Sequence, residues 1–484
     1  MALDTTTEPH VGRGAFQVEA NGINVISDEE RKGTPRQLFW PWFAANVSVL
    51  GLSYGSFALG FGISFWQAVI VGVVGIVVSF LLCGFVAVAG KRGSAPTMVL
   101  SRAAFGVRGN RLPSLISWLL TVGWETVLTI LATLATSTVF DRLGWGGGST
   151  TKIIALAVVT VLTVAGGVLG FELIMRMQTV ITVVTAVLTV VYMGFVADRI
   201  DFGAVSAIPG GSAQNVIGAL VFLMTGFGLG WVNAAADYSR YLPRSSSSRG
   251  VIGWTAFGSS LAPVALLVFG LLLAGSSKDL NDAIAVDPIG ALATILPTWY
   301  LVPFALVAVL GLVGGAVMNI YSSGLTLLAV GVRLPRWAAA FVDGVVVVLG
   351  TVYVVFFAGS FLSQFTGFLI TLGVPIAVWC GVMLADIALR RRDYADTDLY
   401  LPTGRYGDVR WLPITTVLVG TAAGWGLVTN TSADWLHWQG YLLGPLGLRD
   451  SWSGANLGVL VALVTGFAVT YIFGRGRVKG QEER

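Results

Sequence analysis

Apolar positions in this chain neither alternate with a period of two nor recur as one stripe of a helix; they run on. The stretches 61–89 and 251–274 carry no charged side chain, and about 20 such residues as a helix cross ~30 Å of hydrocarbon. Lipid satisfies no backbone N–H or C=O group, so each run must be helical. The pattern predicts twelve spans, at about 40–62, 66–88, 112–138, 152–172, 174–197, 213–236, 251–275, 299–331, 336–356, 359–389, 411–430 and 454–474.

The charged residues collect between the runs and alternate in sign. Lys91, Arg92, Arg102, Arg108 and Arg111 follow span 2 with no acid among them, and Arg240, Arg244 and Arg249 follow span 6. Arg333, Arg336, Arg390, Arg391 and Arg392 mark later even-numbered ends, while the opposite loops are acidic or mixed, as with Asp198, Arg199 and Asp201, or Lys278, Asp279, Asp282 and Asp287. Basic loops stay inside, so both termini are expected in the cytoplasm and the protein in the plasma membrane, multi-pass.

Composition agrees: 55% of residues are hydrophobic and 11% charged, where a soluble domain carries about a quarter. The net charge of +4 is spread over several loops and points to orientation, not to a nucleic-acid partner. Cys83 and Cys380 both lie in apolar segments, which leaves no disulfide framework, and no metal or cofactor is expected. Residues 1–39 read as a polar, mostly disordered cytoplasmic tail, 40–197 as a first five-helix repeat and 198–392 as a second. Residues 393–474 read as a cytoplasmic loop with two peripheral helices, and 475–484 as a cytoplasmic tail.

Two spans in matching places are rich in small residues. Span 1 holds Asn46, Ser48, Gly51, Ser53, Gly55 and Gly60; span 6 holds Thr225, Gly226, Gly228 and Gly230 before Asn233. Such clusters either loosen a helix, at about 1 kcal/mol per glycine relative to alanine, or let helices pack closely. Each of these spans begins a block of five, which is how an inverted-repeat transporter places discontinuous helices around a midplane site.

The run from Gly22-Ile23-Asn24 through Glu30-Arg31 and Thr34-Pro35-Arg36-Gln37-Leu38-Phe39-Trp40-Pro41-Trp42-Phe43-Ala44-Ala45-Asn46 resembles the nucleobase:cation symporter-1 family, most closely its purine-cytosine permease branch. The resemblance continues through Gly90-Lys91-Arg92-Gly93, Met98-Val99-Leu100-Ser101-Arg102, Phe105-Gly106, Gly123-Trp124, Gly230-Trp231, Ala236-Asp237-Tyr238 and Asn319-Ile320-Tyr321-Ser322. It implies an all-α, LeuT-like fold of ten core helices and two peripheral ones, and a secondary active transporter that imports a nucleobase such as cytosine or a purine by cation symport. It also assigns Trp124 and Trp231 as the two faces of a sandwich around a flat ring.

Stacking on an aromatic face is worth roughly 1–3 kcal/mol per base and tolerates different bases, so recognition needs polar partners. Asn319 offers a donor and an acceptor, with Gly315, Ser322 and Ser323 on its helical face; Ser53 and Gly230 are further candidates from the loosened segments. Where relatives place asparagine one turn after the helix 3 tryptophan, this chain has Leu128, which keeps hydantoin, allantoin or vitamin-like rings open as substrates. With no lysine or arginine in mid-span, the solute is expected to be neutral.

Glu125 reads as the one ionisable group near the middle of a span, and so as the candidate for proton coupling. Asp237 sits near the end of span 6 as a helix-end contact or gate. Sodium coupling in related carriers uses helix 8 hydroxyls five and six residues before the asparagine; here those positions are Val313 and Gly314, which favours protons. An enzyme is disfavoured because the two histidines, His10 and His437, lie outside the spans. A non-transporting ligand sensor stays open.

Overall fold

The computed structural model describes residues 22–169, 171–332, 334–358, 360–431 and 434–484, with the side chains of residues 169, 171–178 and 336 also left aside. Residues 1–21 of the expected tail, His10 among them, and Arg333 therefore lie outside the described residues. Those described form helices and connections, with no strand. Nine helices are long and apolar enough to cross a membrane, and eleven spans result when each of two bent pairs is taken as one. The remaining expected span, at about 411–430, is α11 (Trp411–Trp425), with 15 helical residues. At 1.5 Å per residue it reaches roughly 22 Å, short of the hydrocarbon core.

The others are α1a (Phe39–Asn46) and α1b (Leu50–Leu59), α2 (Phe65–Gly93), α3 (Arg111–Arg142), α4 (Ser149–Leu169), α5 (Phe171–Val196) and α6, which begins as Ala213–Gly226. Then follow α7 (Ser248–Ser276), α8 (Leu301–Val330), α9 (Arg336–Phe357), α10 (Phe361–Leu389) and α12 (Gly458–Phe473). Helices α3 and α8 pack along each other at the centre, α7 lies against α1b and α2, and α10 bridges to α11 and α12. The fold is thus an all-helical bundle of long apolar helices, with α11 and α12 packed on α10.

Span 1 is broken, but not at its glycines. The chain turns by 68° between α1a and α1b, at Val47 (φ −83°, ψ 93°). Ser48 between two valines offers the backbone a local partner, its hydroxyl accepting from Leu50 N–H at 3.4 Å, and β-branched neighbours lose rotamer freedom in a helix. Gly51 and Gly55 lie inside α1b instead. A Cβ on Gly55 would stand 2.3 Å from the Gly270 carbonyl carbon and one on Gly51 2.8 Å from Leu266 Cβ, so these glycines bring α1b onto α7.

Span 6 does break at its glycines. After Phe227 (φ −116°, ψ −104°) the chain makes two 3-10 turns, Gly228–Gly230 and Val232–Ala234, before a last turn Ala235–Ser239. The freed groups are recaptured by one face of α2. Gly228 N–H donates to Ser79 Oγ at 3.0 Å, and Cys83 Sγ–H donates to Gly228 C=O at 3.0 Å. Gly228 must be glycine there, because a Cβ would lie 2.1 Å from the Ser79 carbonyl carbon.

Residues 22–38, expected as part of a disordered tail, are instead docked on the side of the bundle that holds the C-terminus. Buried Arg31 donates to Leu242 C=O at 3.0 Å and Lys91 C=O at 2.8 Å, Arg240 donates to Gly22 C=O at 3.0 Å, and Ile26 is 2% exposed. The polar sequence concealed this, because the partners are loop carbonyls that no periodicity marks. A C-terminal helix, α13 (Arg475–Glu483), packs on the same side: Gln481 donates to Ala103 C=O at 3.0 Å and Arg477 to Asp386 at 2.9 Å.

Candidate functional site

The two breaks and the α3–α8 pair meet around one point. Trp124 is 9% exposed on α3, and a Cβ on Gly230 would lie 2.8 Å from its Nε1. Trp231, the next residue after Gly230, is half-buried and meets Trp42 of α1a edge to face at 5.9 Å. Trp124 thus packs on the glycine that precedes Trp231 in the unwound segment.

From α8, Asn319 turns its amide nitrogen back to Gly315 C=O at 3.1 Å. That leaves Oδ1 buried with no hydrogen-bond partner in the protein, as is Trp124 Nε1–H. A buried donor or acceptor left unpaired costs about 1–3 kcal/mol, so one of each at a broken-helix junction suits a ligand with complementary edges. Leu128 takes the space one turn along α3, its Cδ1 3.1 Å from where a Gly315 Cβ would be. The wall there is apolar.

Aromatic rings close the site from both sides. Phe365 and Phe368 of α10 meet Trp124 at 5.5 and 6.0 Å, and Phe365 joins Tyr54, Phe57 and Phe222. Toward the termini, Trp42 packs on Trp231 and on Tyr238 at 5.4 Å. Trp42 and Phe365 escaped the sequence reading, since a run such as Phe39-Trp40-Pro41-Trp42-Phe43 gives no sign of which ring turns inward.

The other candidates are placed apart. Ser53 is fully buried on α1b and donates to Pro288 C=O at 2.8 Å. It ties α1b to the connection between α7 and α8. Asp237 accepts from both the N–H and the hydroxyl of Thr97 at 2.8 Å, fastening the last turn of span 6 to the α2–α3 connection. The break of α1 turns carbonyls toward α8, with Val47 O 3.6 Å and Ala45 O 4.0 Å from the Cβ positions of Gly311 and Gly315. Val313 and the glycines on this stretch of α8 add no side-chain oxygen. Among the described residues no group of three or more His, Cys, Asp or Glu could hold a metal ion.

Glu125 is fully buried on α3. Asp343 of α9 is also fully buried. Asp343 accepts from Trp118 Nε1–H and from Ser323 Oγ–H, each at 2.7 Å. Helix α9, which carries Asp343, packs against α3 and α8.

Comparison with known proteins agrees with this architecture. Residues 25–444 match the family model described as permease for cytosine/purines, uracil, thiamine, allantoin. A putative purine-cytosine permease of Bacillus subtilis is 24% identical over 475 residues, covering 96% of this chain and 97% of that one. A purine-cytosine permease of Saccharomyces cerevisiae is 25% identical over 276 residues, 55% of this chain and 50% of the relative. Among solved structures, the nucleobase-cation-symport-1 family transporter Mhp1, closed with bromovinylhydantoin bound, superposes with a TM-score of 0.71 at 19% identity, covering 96% of each chain. With the model match spanning most of its length, this chain belongs to the family of permeases for cytosine and purines, uracil, thiamine and allantoin.

Proposed function

We propose that this permease imports a flat, neutral, nucleobase-like ring, such as cytosine or a purine, held between Trp124 and Trp231 and driven by proton symport across the plasma membrane with both termini cytoplasmic. One observation carries the reading: the Trp124 indole packs on Gly230, the residue before Trp231, at a break in α6, with an unpartnered donor at Trp124 Nε1 and an unpartnered acceptor at Asn319 Oδ1. Nucleobases present such donor and acceptor edges around a π face.

Protons are favoured because α8 lacks hydroxyls beside the α1 break while a carboxyl lies next to Trp124 in sequence. One charge moving down 100 mV provides about 2.3 kcal/mol, enough for roughly a 50-fold gradient at about 1.4 kcal/mol per tenfold.

The test is uptake into proteoliposomes of radiolabelled cytosine, adenine, hypoxanthine and a hydantoin, under an imposed proton gradient with sodium present or absent. Accumulation of one of them that collapses with an uncoupler is expected. Sodium-dependent accumulation would remove the proton reading, and binding without accumulation would make the chain a sensor. Glu125→Gln is expected to alter the response to pH and uncouplers; an unaltered response would sink Glu125 as the coupling group. Leu128 in place of a polar residue favours a second reading, in which the ring is a hydantoin or allantoin and the cytosine lane stays empty.

A further inference from the structure

The chain enters α1a through a 3-10 turn, Pro35–Leu38, that lies against the first turns of α7. Two glycines of α7 permit the approach: a Cβ on Gly258 would stand 2.7 Å from Phe39 O, and one on Gly250 3.1 Å from Pro35 Cβ. Between the two helices is a cavity of about 420 Å³, walled by Phe39, Trp40, Trp254 and Phe257 and edged by Thr34, Arg36 and Gln37 of the turn. The wall is continuous, since Phe39 meets Trp254 at 6.4 Å and Phe257 at 5.6 Å, and Trp254 meets Phe257 at 6.0 Å. It faces outward from the bundle, with Trp40 57% and Phe257 50% exposed.

Depth decides what can fill such a cavity. Helix α7 has 29 residues, roughly 43 Å at 1.5 Å per residue, so it overhangs a ~30 Å hydrocarbon core by about 6 Å at each end. Trp254 stands roughly 9 Å along it, at the edge of the hydrocarbon where indoles collect, and Phe257 lies about a turn deeper. The turn that carries Arg36 is on the water side. Arg36 is exposed, its guanidinium lies 5.9 Å from the centre of the Trp254 ring, and among the described residues it pairs with no acid. No acid lines the cavity. Exposed Lys32 and Arg249 stand close to it in the chain, while Asp28 and Glu30 are engaged with Arg31 and Ser27.

We propose that this cavity binds an anionic phospholipid of the leaflet on the basic-loop side. Arg36 takes the phosphate, which its planar fork of donors fits bidentately while it stays stacked on Trp254. Trp40 and Trp254 sit at the level of the glycerol, and one acyl chain runs along Phe39 and Phe257. A net negative headgroup complements a rim that offers cations and no carboxylate. The lipid spans the starts of α1a and α7. Because α1a meets α1b at a 68° bend and its Trp42 packs on Trp231, a lipid seated here braces the half-helix that forms one wall of the proposed substrate site.

The test uses the full chain purified in detergent and titrated separately with phosphatidylglycerol, phosphatidylcholine and water-soluble glycerol phosphate, followed by native mass spectrometry and by the midpoint of thermal unfolding. Wild type is compared with Arg36→Gln, Arg36→Lys and Arg391→Gln, the last removing an exposed cation that lies away from the cavity. Wild type is expected to retain phosphatidylglycerol in preference to phosphatidylcholine and to unfold at a higher temperature when it is bound. Arg36→Gln should weaken that retention by about tenfold, the loss of one charged hydrogen bond, and Arg36→Lys should recover part of it, while Arg391→Gln behaves as wild type. Unchanged retention in Arg36→Gln overturns the site. Equal retention of phosphatidylcholine overturns the choice of an anionic lipid, and a rise in midpoint with glycerol phosphate alone makes this a site for free anions and overturns the lipid. No arm measures transport, so the lipid site and the substrate reading fail separately.

Discussion

In the proposed site Trp124, Trp231 and Asn319 have separable roles, and substitutions should separate them. Replacing Trp231 by alanine removes one stacking face, a loss of about 1–3 kcal/mol. Transport affinity for the accepted ring should fall roughly five- to a hundredfold, with Trp231→Phe recovering most of it; an uptake titration checks this. Asn319→Ala removes the unpartnered acceptor and should erase discrimination between bases more than it weakens binding to all of them, read as the ratio of uptake rates across the panel. Gly230 is the sharper probe. A methyl there would start 2.8 Å from Trp124 Nε1 and displace the indole, so Gly230→Ala should cut uptake at least tenfold while leaving the thermal transition of the purified protein close to wild type, by the standing of about 1.4 kcal/mol per tenfold. Trp124 and Trp231 were marked by their motifs. Asp343 was not, because a sequence position two turns into a helix says nothing about which neighbour covers it.

At the level of helices, the small residues of spans 1 and 6 divide into two jobs that composition does not distinguish. Gly55 and Gly270 let α1b and α7 touch through their backbones, a Cβ on Gly270 standing 1.9 Å from Leu52 O. Gly228 lets an unwound segment lie on α2 where Ser79 and Cys83 satisfy it. Gly55→Leu should therefore force the helices apart and cost several kcal/mol, in the range of overpacked cores. Fluorescence-detected size exclusion should then show little monodisperse protein. Ser79→Ala leaves Gly228 N–H unpaired at a cost of about 1–3 kcal/mol, and a lower midpoint of thermal unfolding measures it.

Across the whole molecule, one face is bound together by charge. Asp386 and Arg390 are 1% and 5% exposed and pair at 2.9 Å, with Arg477 of α13 on the same carboxylate and Gln481 accepting from Arg390. Taking Arg390 away leaves a buried acid half-compensated, so Arg390→Ala should cost about 3–5 kcal/mol. Asp282→Ala, which removes the exposed partner of Lys278, should cost less than about 1 kcal/mol. Parallel thermal-unfolding curves in one detergent compare the two. The contacts of residues 22–38 with the α2–α3 and α6–α7 connections belong to this same face, so the termini fasten the ends of several core helices at once.

Much of this architecture is settled by hydropathy and charge. A helix in lipid must satisfy its own backbone and be long enough to cross, so span positions, the class of fold and the alternation of basic loops are local properties that a sequence carries openly. The family motifs likewise mark Trp124, Trp231 and Asn319 one residue at a time. Other matters depend on which side chains face one another. The break of α1 falls at Val47–Ser48 and not at a glycine, Ser53 turns to Pro288, and Asp343 turns to Ser323. Each follows from packing between helices far apart in the chain, where a single carbonyl, hydroxyl or ring chooses its partner by proximity, and proximity exists only once the bundle has closed.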